Sequence, residues 1–150
     1  MAAANTKFVL VDLLPVMDRD LQLRVGVLEG ATHTDAKGRS IPVAEYAMHN
    51  EYGTRRIPSR PFLRTSLDIY GEAWAAELSD LISEGVDPED ALERVGAMAQ
   101  ADIRRVIEEW ATPPNKESTI RRKRSQRDNP LVDSGDLQDA IAYDVHGGTK

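Results

Sequence analysis

Cysteine is absent from the 150 residues, which excludes disulfides and thiolate chemistry and removes any direct sign of redox compartment. Long apolar runs are missing too. The best candidate, Phe8 to Leu14, is interrupted by Asp12 and is far shorter than a membrane-spanning helix, so no membrane partner is expected. The start, Met1-Ala2-Ala3-Ala4, lacks the basic residues and following apolar core of a secretory signal peptide. Histidine is scarce: His33, His49 and His146 are scattered, with no metal-ligand spacing to one another. No phosphate-binding loop occurs, and Ser134-Gly135 lacks the flanks of a nucleophile elbow. The residues thus point to no enzyme and to no cofactor. The acids between Asp68 and Glu109 read as solvated helix faces rather than a paired catalytic site.

Hydrophobic residues at 41% and charged residues at 29% describe a globular chain whose length suits a single domain. Net charge is −6, which disfavours wholesale binding to nucleic acid. That average conceals segregation. Asp68 to Glu109 is heavily acidic, whereas Lys116 to Arg127 is basic.

Residues Met1 to Thr6 and the end beyond Gly147 are expected to be loose, and Phe8 to Leu14 fits either a short strand or a helical turn. Leu21, Leu23, Val25 and Val27 alternate with Gln22, Arg24 and Gly26, the period of a half-buried strand. Glu29 to Pro42 is polar and reads as a long exposed loop or a loosely ordered hairpin. Pro42 and Val43 open a short helix through about Glu51. Leu63, Leu67, Tyr70, Trp74, Leu78 and Leu81 then recur at three- and four-residue steps, predicting a long amphipathic helix from Pro61 to Gly85. Asp87-Pro88-Glu89-Asp90 supplies an N-cap, a first-turn proline and first-turn acids for a second helix. Its stripe runs through Leu92, Val95, Ala99, Ile103, Val106 and Trp110. Asp133 or Ser134 is placed to cap a short helix through Asp139, and Ala140 to Val145 reads as a last strand. The fold class is therefore α+β: first and last strands in one small sheet, packed with a long antiparallel helical hairpin.

The most specified stretch lies between the first two helices, from Asn50 to Arg64. Gly53 can take positive φ and end a helix after Tyr52. Pro58 and Pro61 hold Ile57 and Arg60 extended, and Pro61 suits the first turn of the next helix. Phe62 then opens the apolar stripe, with burial expected beneath the helix start.

Asn50-Glu51-Tyr52-Gly53-Thr54, followed by Ile57-Pro58-Ser59-Arg60-Pro61-Phe62-Leu63-Arg64, resembles the signature of tail-completion (neck) proteins of tailed bacteriophages. Asn129 to Leu137, followed by Ile141-Ala142-Tyr143, is similar to that family's closing pattern. With Val25-Gly26-Val27 upstream, three steps occur in the family's order, from about Leu23 to Val145. The shorter N-terminus departs from the pattern. The resemblance implies a structural virion protein, assembled in the host cytoplasm, that completes the tail at the head–tail junction. It implies a closed ring of copies of itself, hexameric by analogy, docked to neighbouring neck and tail proteins. Genome DNA would pass through the lumen without sequence recognition. A tail terminator or head-closure ring protein is the nearer alternative. The distant one is a DNA-binding regulatory module using Lys116 to Arg127, whose few aromatics would limit it to phosphate contacts. Candidate interface residues are Arg55, Arg56, Arg121, Arg122, Lys123 and Arg124; a merely solvated face is the plainer reading of that last run.

Overall fold

The computed structural model describes residues 21–27, 30–34, 37–121, 129–131 and 135–147. Its elements run β1 (Gln22–Val27), β2 (Thr32–Thr34), β3 (Ser40–Pro42), α1 (Val43–Tyr52), α2 (Phe62–Ser83), α3 (Pro88–Glu108), α4 (Glu117–Ile120), α5 (Asp136–Asp139) and β4 (Ile141–His146). The fold is α+β. The first and last long strands, β1 and β4, pair antiparallel, from Gln22 opposite His146 to Val27 opposite Ile141. The polar stretch before α1 forms the hairpin of the two sequence alternatives, β2 against β3, with Thr32 opposite Pro42.

Helix α3 is the centre of the molecule, with α2 on one side and the β1–β4 ribbon on the other. Its start is the one the sequence specifies: Asp87 accepts from the Glu89 N–H at 3.0 Å and Pro88 occupies the first turn. Gly85, at φ +83°, closes the connection from α2. Strand alternation directs Leu21, Leu23, Val25 and Ile141 into the core and leaves Arg24, Asp144 and His146 on the opposite face. There Arg24 grips Asp144 through two hydrogen bonds, at 3.1 and 3.2 Å, across the ribbon. Phe8 to Leu14, Asp133, Ser134 and the extreme ends lie outside the described residues.

Two expectations need correcting. Leu67 is 37% exposed, not part of the buried stripe. The buried face of α2 carries Phe62, Leu63, Ser66, Trp74, Leu78 and Leu81. The direction of Leu67 round the helix falls between those of Trp74 and Leu78, so its period is right and what it lacks is a neighbour to cover it. Ser66 is tolerated inside because its hydroxyl donates to the Phe62 carbonyl at 2.7 Å. Pro61 also sits just before the first helical residue rather than within the first turn; its ψ of 67° is not helical, though its carbonyl already accepts from the Thr65 N–H.

A two-stranded ribbon has little stability of its own, so its packing on α3 is decisive. Gly96, in mid-α3, permits close approach. A Cβ there would overlap the Tyr143 ring and come within 2.8 Å of Leu23 Cδ1. Glycine inside a helix costs about 1 kcal/mol relative to alanine, so close packing outweighs helix propensity here. Gly96→Ala is expected to destabilise by ~1–3 kcal/mol through overpacking, despite its better propensity. Chemical denaturation checks this, and an unchanged or raised midpoint would refute it.

Candidate functional site: the corner between the first two long helices

Helix α2 begins without a side-chain cap of its own, since Pro61 offers none. The acceptor comes from the preceding helix. Glu51, in the last turn of α1 and only 2% exposed, presents its carboxylate to the start of α2. Oε2 accepts from the Leu63 N–H at 2.9 Å, and Oε1 accepts from the Arg64 N–H at 3.2 Å. Arg64 Nε donates to the same Oε1 at 3.1 Å, so the buried carboxylate is both hydrogen-bonded and paired. A negative group at a helix N-terminus is also favoured by the helix dipole.

The backbone carbonyls at the end of α1 are satisfied from the same connector. Ser59 Oγ and an Arg64 guanidinium nitrogen both donate to the Glu51 carbonyl, at 2.8 and 3.1 Å. The Arg60 N–H donates to the Asn50 carbonyl, and the buried Asn50 amide donates to the Tyr46 carbonyl. Thr54 shapes the turn: its hydroxyl accepts from the Ile57 N–H at 3.0 Å, and its N–H donates to the Ile57 carbonyl at 2.8 Å. Gly53 has φ +76°, and a Cβ there would stand 2.8 Å from the Ser59 nitrogen. Both positive φ and close backbone approach therefore require glycine.

Arg60 is buried and reaches across the fold. Its Nε and one terminal nitrogen donate to the Pro113 and Pro114 carbonyls, at 3.0 and 3.3 Å. Burial pulls its pKa below the ordinary guanidinium value, with an opposing contribution from Tyr46. The group stays charged regardless. Phe62 has no exposed surface and Pro58 lies exposed on the connector.

The candidate interface arginines separate. Arg55 and Arg56 project from the bend of the corner and are exposed. Arg121 is exposed too and pairs with Glu117 one turn earlier, at 3.2 Å. Arg122, Lys123 and Arg124 lie outside the described residues. The structure thus brings Gly53, Arg55, Arg56, Pro58, Arg60, Pro61 and Phe62 together by sequence proximity.

The sequence reading gave no buried role to three polar residues, two of which fall in the family-like steps. Besides Glu51, Asp102 of α3 accepts from the Trp74 indole at 2.8 Å and from Arg105 at 3.2 Å, stitching α2 to α3. Arg105 lies over the Tyr70 ring, which stacks near Trp74. Trp74 is therefore a core residue with its polar atom satisfied. Asn129 donates to the Ile107 and Glu108 carbonyls at the end of α3 and accepts from the Leu131 N–H at 2.8 Å. It caps α3 from the closing motif. The only sequence signal for Glu51 was negative: a helix start with no local acceptor needs one from elsewhere.

Among the described residues, no three His, Cys, Asp or Glu side chains are grouped to hold a metal, and no helix is long and apolar enough to cross a membrane. No family model, curated protein or solved structure matches the chain.

Glu51→Ala is expected to cost ~1–3 kcal/mol by orphaning two N–H groups of α2, with Glu51→Gln costing less because an acceptor remains. Equal losses in urea unfolding would exclude the capping role. For Phe62→Ala the expected loss is ~3–5 kcal/mol, the range for deleting a fully buried ring. An unchanged melting temperature would contradict it.

Proposed function

We propose that this chain is a structural, non-catalytic component of a tailed phage or prophage virion, completing the tail at the head–tail junction as one subunit of a ring. What carries the reading is the use the chain makes of its family-like steps. Asn50, Glu51, Gly53, Thr54, Ser59, Arg60, Phe62 and Arg64 form one hydrogen-bonded corner, and Asn129 caps α3 from the closing step. Residues that resemble a family signature while holding the fold are what common architecture would require. The resemblance supplies the function; hexameric closure, neighbouring neck and tail partners and a virion location are part of the proposal.

An acidic balance of −6 suits a ring through which DNA slides, since repulsion from phosphate opposes sticking. The regulatory DNA-binding alternative rests on Lys116 to Arg127, where Arg121 is engaged with Glu117.

A nonsense mutation in the corresponding gene of a phage carrying this chain tests the proposal. The expected outcome is DNA-filled heads and separate tails by electron microscopy, with joining restored when purified protein is added. Complete, infectious particles lacking the chain would refute it.

A further inference from the structure

The corner and the outer face of α2 have one feature in common: each presents exposed charges of one sign that make no ion pair among the described residues. After Arg64, helix α2 carries Asp68, Glu72, Glu77 and Asp80, Glu84 follows at its end, and no basic residue intervenes. All five are exposed, and among the described residues none lies within ion-pair distance of a cation. Ile69 on the same helix is 58% exposed. Ala73 and Ala76 are exposed four and seven residues further on, so the three form one strip. Glu72, Glu77 and Asp80 border it at three- and four-residue steps. Ile69 and two alanines edged by acids of one sign, with no cation among them, differ from a plain solvated face, where charges of both signs are mixed.

The complementary surface is the corner. Arg55 and Arg56 are exposed, and among the described residues no carboxylate lies within ion-pair distance of either. Arg64 adds a guanidinium that is 59% exposed even while bonded to Glu51, and it lies over the ring of Tyr52, itself 60% exposed. The corner therefore offers cations around an aromatic plate, and α2 offers acids around an aliphatic strip.

From this complementarity we infer that the exposed strip of α2 docks on the Arg55–Arg56–Tyr52 corner of a second copy, head to tail. Ile69 and the alanines meet Tyr52, while Glu72, Glu77 and Asp80 meet Arg55 and Arg56. The patches differ, so a pair of copies keeps one of each free, and the contact propagates until a ring closes. This names the self-contact of the ring proposed above and rests on that reading for its closure.

Sedimentation of the full chain across a salt series tests the contact. Wild type is expected to form species larger than a dimer, with association weakening at least about tenfold as salt is raised. Ile69→Asp and the double variant Arg55→Glu/Arg56→Glu should each fall to monomer with unchanged circular dichroism, since all three side chains are exposed. Mixing the two variants should give a one-to-one pair and nothing larger, because one has an intact corner and the other an intact helix. Adding Glu72→Arg/Asp80→Arg to the corner variant should restore association. A wild type that is monomeric, or stops at dimer, overturns the head-to-tail inference; so does an oligomer that survives both disabling changes. That last result leaves the ring reading standing, whereas complete virions without the chain remove the phage assignment and leave a measured self-contact untouched.

Discussion

The fold depends on one carboxylate held at the meeting point of two helices. Glu51 ends α1 and starts α2: its carboxylate caps the second helix while its own carbonyl receives two donors from the connector. Helix ends leave orphan polar groups, and an inter-helix corner buried on its inner side has little water to satisfy them. A single residue bonded on both sides solves two such problems at once. It also fixes the angle at which α2 leaves, because cap and helix start must coincide within hydrogen-bond reach. Gly53, Thr54 and Ser59 are then consequences: the chain must turn tightly enough to return Leu63 and Arg64 to the carboxylate twelve and thirteen residues earlier.

From that corner the order passes to α3. Most of its length is covered on two sides, which is why it carries nine buried positions where α2 carries six. On the α2 side, Asp102 joins the Trp74 indole. On the ribbon side, Gln100 and Arg104 donate to the Ile141 carbonyl at 2.7 and 2.9 Å, and Arg104 also reaches the Gln138 carbonyl. Long polar side chains thus serve backbone acceptors where α5 turns into β4. At the ribbon's edge, Tyr143 rests on Gly96 and hydrogen-bonds Glu93; burial first, then that carboxylate, raises its pKa. Arg60 ties this centre back to the corner through the Pro113 and Pro114 carbonyls.

Periodicity made the helical hairpin and the β1–β4 strands legible, because one buried face per element leaves a 3.6- or 2-residue rhythm. Punctuation at Gly53, Gly85 and Asp87-Pro88 set the turns for equally local reasons. Glu51, Asp102 and Asn129 were not legible. Each is a polar residue buried because of a partner 12 or more residues away in α2 or α3, and a linear pattern carries no such pairing. Leu67 failed in the opposite way: its spacing and direction fit the stripe, but no neighbouring element covers it at that level of α2. Separating buried apolar positions from marginal ones needs the neighbour as well as the period.

Within the corner, the division between inward and outward arginines bears on where function resides. Arg60 is consumed by carbonyls and Arg64 in large part by Glu51, so both answer to the fold. Arg55 and Arg56 fall in the gap between the two steps that resemble the family signature, and they alone of the four make no side-chain bond to described residues. The signature residues build a rigid platform, and the gap residues stand on it. Rigidity matters for docking, because a cation held on a fixed bend loses less freedom on meeting a carboxylate than one on a loose loop. A motif composed of caps, turns and a buried ring therefore testifies to architecture, whereas the two positions that the motif leaves unconstrained are exposed cations whose side chains take no part in holding the corner.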